Sequence, residues 1–523
     1  MTKKHIRILV LLSASLLLAT RFIVRQQADV GDHASTVVPT AAPDPLPAQA
    51  VIAAAAPPMT DLAAIPAPPH LVTMGRFSND IERETFAAQQ RKVSISQKAK
   101  AVAWARRNAF PERGETDGRT FELAAWINGR PYVRTTCNRN AAISAGTDKV
   151  RDHSFPNDLQ GDGYVMGVWD AGSVRDTHQE LRNRVTKMDT AAVHSHSSHV
   201  GGTMTAAGVQ IGARGMAPAA HLDSYDWNED YAEMALAGMA SPTETNRIPI
   251  SNHSYGFQAG WFGSTWYGTW GHLEADGFGQ YDTFAVLADQ VCYEAPYFLP
   301  FKAAGNDRND NSPSTGSTFS YFTNGVTQTK TYDPATDPPD DDWDQGGFDT
   351  ISHDATAKNI MTVGAVNDAV SGTNRFLTGA SMTSFSSWGP VDDGRIKPDI
   401  VANGATLYSS SSFSDGAYST LSGTSMASPS AAGSALLVVQ HFARTFPGQA
   451  ILSSMLKALL IHTTDDLGRP GPDYTYGWGL IDTQAAVQQI SSHAYDTNAM
   501  RLVQGHLSAA TPTNQFSFIW DMN

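Results

Sequence analysis

The sequence predicts an α/β domain with a mostly parallel central sheet covered by helices on both faces, preceded by a small α+β unit. Three observations carry this. From about residue 152 to residue 490, strand and helix signals alternate, the pattern of parallel strands joined by crossover helices. The strand signals in that region are apolar runs, as strands covered on both faces must be. Ahead of it, one helical period is followed by two alternating segments around an Asn-Gly turn signal.

In chain order, residues 1–26 read as an export signal. Lys3, Lys4 and Arg7 precede an apolar run from Ile8 to Ala19. That run is about a dozen residues, short of the ~20 that span a bilayer. An uncleaved anchor is the alternative, because Phe22, Ile23 and Val24 extend the run past Arg21. A lipoprotein anchor is not expected, since no cysteine lies near the end of the run, and no later segment is apolar enough to cross a membrane. Residues 27–70, rich in Ala and Pro, cannot bury enough surface to fold and read as a spacer.

Residues 71–149 form the small unit. Ser94 to Arg107 reads as a helix with Ile95, Ala99, Val102 and Ala103 on one face. Thr120–Ile127 alternates like a strand, Asn128-Gly129 turns, and Pro131–Thr136 returns. Within residues 150–490, strands are expected at Tyr164–Trp169, Ile248–Asn252, Tyr297–Ala303, Ile360–Val366 and Ile400–Ala402, with helices between them such as Val200–Ala207 and Ala431–Ala443. In residues 491–523, Met500–Leu507 and Gln515–Trp520 look like two strands, too few to stand alone. They read as the start of a C-terminal β domain that stops early, as in a truncated chain.

The 523 residues carry a net charge of −14, which argues against nucleic acid as a partner. Two cysteines, Cys137 and Cys292, cannot build a disulfide framework and read as free or buried thiols rather than a single pair.

The chemistry concentrates in Ser422-Gly423-Thr424-Ser425-Met426-Ala427-Ser428-Pro429, a tight turn opening into a buried helix with Pro429 in its first turn. A serine there sits beside unpaired backbone N–H groups and the positive end of the helix dipole, both of which stabilise a nascent anion. Acyl transfer by serine also needs a base and a carboxylate to orient it. Asp170 ends an apolar strand before Ala171-Gly172, on the rim where sites form in such sheets. His196 lies in His194-Ser195-His196-Ser197-Ser198-His199-Val200-Gly201-Gly202-Thr203. Asn306 follows the strand Phe298–Ala303 and the pair Ala304-Gly305.

These segments resemble the motifs of the subtilisin-like serine proteases, the peptidase S8 family. The whole of Gly-Thr-Ser-Met-Ala-Ser-Pro is in place, and the order Asp170, His196, Ser425 is that of the family. The resemblance implies the three-layer subtilisin-like fold and an exported serine endopeptidase that needs no cofactor for its chemistry. Ser425 is then the nucleophile, His196 the base, Asp170 its orienting carboxylate, and Asn306 an oxyanion donor together with the Ser425 N–H. Two departures stand out: Ala171 where the family has Ser or Thr, and Ser197 where it has Gly. The related sedolisins carry glutamate and aspartate in place of the histidine and asparagine, so His196 and Asn306 argue against that branch.

Further matches at Gly215–Leu222, Phe385–Pro390, Asp393–Asp399 and Tyr476–Ile481 read as structural, so the resemblance spans about residues 152–490. By the same resemblance, Ser254-Tyr255-Gly256 is the edge that pairs with an extended protein or peptide substrate, and Ala303-Ala304-Gly305 the other wall of the first pocket. Residues 71–149 stand where the family carries inhibitory, folding-assisting propeptides; an extension packed permanently on the domain is the alternative. A catalytically silent surface module on this fold would have lost a triad member, and none is lost.

Two features lie outside the resemblance. An aromatic insertion, Trp261, Phe262, Trp266, Tyr267 and Trp270, either packs on itself or lines a substrate rim. The acidic run Asp333, Asp337, Asp340, Asp341, Asp342 and Asp344 reads as a solvated loop, with structural calcium at an unassigned site as the alternative. The expected setting is outside the cytoplasm: secreted, periplasmic or attached to the cell envelope, with membrane contact only through an uncleaved N-terminal anchor.

Overall fold

The computed structural model describes residues 80–504, except 109, 117–118, 128–129, 137–141, 152–157, 245, 273–276, 343–345, 372–373 and 497–501. The export signal, the spacer, the Asn128-Gly129 turn, Cys137, most of the first tail strand and all of the second lie outside the described residues. Residues 502–504 have no regular structure; Leu502 packs against the core and Gln504 accepts the Leu452 N–H at 3.1 Å. No helix among the described residues is long and apolar enough to cross a membrane.

The chain opens with α1 (Asp80–Arg107), β1 (Arg113–Thr116), β2 (Arg119–Ile127) and β3 (Arg130–Thr136). There follow β4 (Val165–Asp170), β5 (Val185–Lys187), α2 (Ser195–Thr205), β6 (His221–Asp226), α3 (Asp230–Ala237), β7 (Ile250–His253), β8 (Tyr255–Phe257), β9 (Trp261–Phe262), β10 (Thr265–Trp266), α4 (Thr283–Glu294) and β11 (Leu299–Ala303). The remainder is β12 (Thr318–Thr323), β13 (Val326–Thr331), β14 (Met361–Val366), β15 (Val370–Ser371), β16 (Asn374–Arg375), β17 (Ile400–Asn403), β18 (Leu407–Ser410), β19 (Tyr418–Leu421), α5 (Thr424–Thr445), α6 (Ser453–His462) and α7 (Thr483–Tyr495).

A seven-stranded sheet in the order β17-β14-β11-β7-β4-β6-β5 forms the centre, and every pairing in it is parallel. The alternation of a strand divides its residues between two cores. Met166 and Val168 of β4 face the larger one, with Val200 and Met204 of α2, Leu436 and Leu437 of α5, and residues of α6 and α7. Trp169 faces the other, with Met234 of α3 and Val291 of α4. Its indole stacks on Tyr225 at 4.2 Å and overlies Gly167, where a Cβ would come within 2.4 Å of the ring. The expected three-layer α/β architecture is present, with helices on both faces.

Two of the segments that read as structural in the sequence, Phe385–Pro390 and Asp393–Asp399, are ties within the sheet. Lys397 Nζ donates to Asp399 Oδ2 at 2.7 Å and to Thr362 Oγ1 at 2.8 Å, while Asp399 accepts the Thr362 N–H, fastening β17 to β14. Ser386 Oγ accepts the Ala365 N–H at 3.0 Å.

The N-terminal elements differ from expectation. Helix α1 begins at Asp80, not Ser94, and buries Arg83, Ala87, Ala101, Trp104 and Ala105, while Ile95 is exposed. The apolar period misleads here because the buried stripe is built from small residues, one arginine and one indole. Arg83 donates from Nη1 to the Ala235 and Gly238 carbonyls at 2.8 and 2.7 Å, binding α1 to α3 and the loop after it. Strand β3 extends the β1-β2 hairpin and pairs antiparallel with β8: Arg134 opposite Phe257, Thr135 opposite Gly256, Thr136 opposite Tyr255. Trp104 Nε1 donates to the Gly325 carbonyl at 2.9 Å, and its ring meets Phe322 at 5.4 Å.

The aromatic insertion packs on itself. β9, β10, β12 and β13 make a small sheet in which Trp261, Trp266, Phe319 and Tyr332 are buried together. Phe262 and Tyr267 instead join Trp104 and Phe322 in a cluster shared with α1. The acidic loop serves this insertion. Asp341 accepts the Trp261 N–H at 2.9 and 3.0 Å, Asp340 accepts the Ser312 N–H at 2.7 Å, and Asp337 pairs with Lys330. Asp344 lies outside the described residues, and among those described no cluster of three or more His, Cys, Asp or Glu could hold a metal ion. Cys292 is buried on α4, and burial pushes its thiol up.

On the Trp169 face, Glu233 accepts the indole N–H at 2.9 Å. Burial first, then the neighbouring Asp189 carboxylate, pushes the Glu233 carboxyl up to about 9 from 4.5. The folded chain therefore keeps a proton there that the unfolded chain loses above about pH 4.5, so stability falls as pH rises through that window to about 9. Glu233→Gln is expected to flatten this fall, its melting temperature gaining on the wild type steadily from about pH 5 to 8 in thermal melts.

Candidate active site

The sheet reverses its winding between β4 and β7, and the loops beyond the carboxyl ends of strands at such a point form a crevice. Asp170 is the last residue of β4 and has no exposed surface. His196 is the second residue of α2; the ring of His194 caps that helix by accepting the His196 N–H at 3.3 Å. His196 Nδ1 lies 2.7 Å from Asp170 Oδ1 and 3.0 Å from Oδ2. An ionised carboxylate only accepts, so Nδ1 carries the proton and Nε2 is left as the basic nitrogen. Asp170 Oδ1 also accepts the Ala171 N–H at 2.7 Å and the Ser197 hydroxyl at 3.0 Å.

Ser425 occupies the first turn of α5, after Gly423 at φ 152°, and so belongs to the amides that no earlier helical carbonyl can satisfy. Helix α5 starts at Thr424, which places Pro429 inside the helix rather than in its first turn. A proline at that position cannot donate to the carbonyl four residues back, that of Ser425. The hydroxyl of Ser254 fills this vacancy, donating to the Ser425 carbonyl at 2.6 Å. Ser254 is held in turn by Asn252 Nδ2 at 2.8 Å, and Asn252 Oδ1 accepts the Ser428 hydroxyl at 2.7 Å. The Ser425 hydroxyl donates to the Ser254 carbonyl at 3.0 Å. Asn252 and Ser428 were not singled out in the sequence, although Ser428 stands in the motif, one turn from Ser425.

Asn306 follows β11. Its Oδ1 accepts the Thr424 N–H at 2.9 Å and the Thr424 hydroxyl at 3.1 Å, which leaves the amide NH2 as the end available to the cleft. Asn306, Ser425, Tyr255, Gly256, Ala303 and Gly305 line one cleft. Asp307 and Ser352, which motif reading missed, line it too. Ala304 is buried behind the wall with Ile351, Ala355 and Val391.

The edge strand is held rigidly. Tyr255 Oη donates to Asp230 Oδ2 at 2.8 Å and meets His253 Nδ1 at 2.9 Å. Lys302 Nζ sits 3.9 Å above the Tyr255 ring and 2.7 Å from Asp354 Oδ2, both charges buried. Burial works to push the Asp354 carboxyl up, but Lys302 and His353 outweigh it and hold it below the usual carboxylate range.

The profile of the subtilase family matches residues 148–479. The chain is 27% identical over 464 residues to the serine protease/ABC transporter B family protein tagB of Dictyostelium discoideum, covering 73% of this chain and 23% of that protein. It is 33% identical over 150 residues to serine protease AprX of Bacillus subtilis, covering 26% of this chain and 32% of that protein. With subtilisin DY of Bacillus licheniformis the identity is 32% over 143 residues, covering 27% of this chain and 42% of that protein. The matches thus span less than half the length of each of these relatives.

Gly305 adopts φ +116°, and a Cβ there would come within 2.7 Å of Ser387 Oγ and 2.8 Å of Asp307 Oδ2. Gly305→Ala is expected to cost about 1–3 kcal/mol of stability, measured by urea unfolding, with the strain falling on the peptide that carries Asn306.

Proposed function

The chain belongs to the subtilase family, and we propose that it is an exported serine endopeptidase acting through Asp170, His196 and Ser425. The observation that carries the reading is the buried Asp170–His196 pair at 2.7 Å, on the same carboxyl edge as a cleft lined by Ser425 and Asn306. In this mechanism His196 Nε2 takes the Ser425 proton as Oγ attacks the scissile carbonyl. The amide of Asn306 and the Ser425 N–H stabilise the oxyanion. His196 then protonates the leaving amine, and water hydrolyses the acyl-enzyme by the same route. No step calls for a metal or cofactor.

An extended substrate would pair with β8 and place its side chain against Ala303, Gly305, Asp307 and Ser352. In the intact chain β3 takes that edge, so the unit of α1 and β1–β3 acts as an intramolecular inhibitor and the full chain is latent. The expected boundary at residue 149 moves back, because Ala145 and Thr147 are buried in the larger core and stay with the catalytic domain. The aromatic contact of Trp104 with Phe322 gives the unit a second hold, away from the cleft.

Ser425→Ala is expected to abolish peptide hydrolysis beyond background, and Asn306→Ala to lower kcat roughly 100–1,000-fold. Wild-type turnover in Ser425→Ala would refute the assignment. For latency, a fluorophosphonate probe followed by mass spectrometry is expected to label Ser425 only in molecules that have lost residues 80–136, and Trp104→Ala to raise the labelled fraction. Equal labelling of intact chains would rule out inhibition by the N-terminal unit.

A further inference from the structure

Two departures from the family's motifs meet on one atom. Position 171 is alanine where the motif carries a hydroxyl, and position 197 is serine where it carries none. The Ser197 hydroxyl donates to Asp170 Oδ1 at 3.0 Å, beside the Ala171 N–H at 2.7 Å and the His196 Nδ1 at 2.7 Å. Asp170, Ser197 and Ser198 have no exposed surface, and His196 is nearly buried, so water does not substitute for a missing donor.

We propose that Ser197 is a positioning residue of the triad, supplying from the first turn of α2 the carboxylate donor that alanine at 171 cannot. A buried carboxylate needs its lone pairs satisfied, and charge-assisted hydrogen bonds fix it more firmly than neutral ones. Consecutive residues of one helix grip the same group: His196 by its ring nitrogen, Ser197 by its hydroxyl. A carboxylate held at Oδ1 by three donors resists rotation about its own axis and keeps its edge toward the imidazole, as the partner of a ligating or catalytic histidine must. The donor also draws charge from Asp170.

This inference rests on the triad assignment, and wild-type peptide turnover tests that first and separately. All rates are then expressed per site titrated with fluorophosphonate, so misfolded molecules drop out. Ser197→Ala is expected to lower kcat/KM about 3–10-fold, the loss of one hydrogen bond. Ala171→Ser in the Ser197→Ala background is expected to restore kcat/KM to within about twofold. Ser197→Gly, the residue of the family motif, provides the same comparison should the alanine variant fold poorly. Independently of turnover, the downfield proton resonance of His196 Nδ1–H is expected to shift in Ser197→Ala and to return in the double variant. An unchanged kcat/KM and unchanged resonance in Ser197→Ala would overturn the proposal. So would a loss of activity that Ala171→Ser fails to repair, because that would mark Ser197 as a packing residue only.

Discussion

Pro429 removes a hydrogen bond from a buried helix, and the placement of Ser425 depends on how that deficit is met. The carbonyl left without a helical donor belongs to Ser425 itself. Ser254 closes the gap, and Ser254 is fixed through Asn252 to Ser428 on the same helix. The result is a closed loop of hydrogen bonds between β7, the residue after it, and the first turns of α5. The proline therefore fastens the turn to the sheet, because the freed carbonyl needs a donor from outside the helix and the sheet edge holds one. Ser254 lies between β7 and β8, so Ser425 and the strand that lines the cleft beside it share one support.

The sequence disclosed what repeats or what is chemically exceptional. Strands β4, β11, β14 and β17 were legible because a strand buried on both faces is mostly apolar along its length; β7, Ile250-Ser251-Asn252-His253, showed only through the isoleucines at its start, its polar residues being buried by the hydrogen bonds they make. Strands β5 and β6 were not, since β6 reads His221-Leu222-Asp223-Ser224-Tyr225-Asp226 and lies near the sheet's edge, where polar side chains are tolerated. Asp170, His196, Asn306 and Ser425 stood out because each lies in a contiguous motif. Ser197 showed only as a departure, because its worth lies in a contact with Asp170 across 27 positions of the chain. The buried Lys302–Asp354 pair was invisible for the same reason: a lysine in an apolar strand reads as an irregularity until its partner is brought beside it. The inward stripe of α1 was misplaced because Trp104 and Arg83 outweigh the small apolar residues whose spacing suggested the opposite face.

The N-terminal unit and the insertion belong together physically. Trp104, Phe262, Tyr267 and Phe322 bury one another, so neither surface is fully covered without the other. Loss of the unit would open an aromatic patch next to the insertion sheet, whose own core of Trp261, Trp266 and Phe319 remains closed. The carboxylates of the neighbouring loop reinforce that division, since they cap backbone amides of the insertion and of the loop around it.

Helix α5 threads the larger core and touches β7, β11, β14 and β17, while its first turn is held by Asn306, 118 positions before Thr424, and by Ser254, 171 positions before Ser425. Contacts so distant along the chain form late in folding, after shorter loops have closed. The Asp170–His196 pair is therefore encoded long before Ser425 can come into register with it. The cleft that Ser425 lines is completed only with the last third of the polypeptide, after all seven strands of the central sheet have been made.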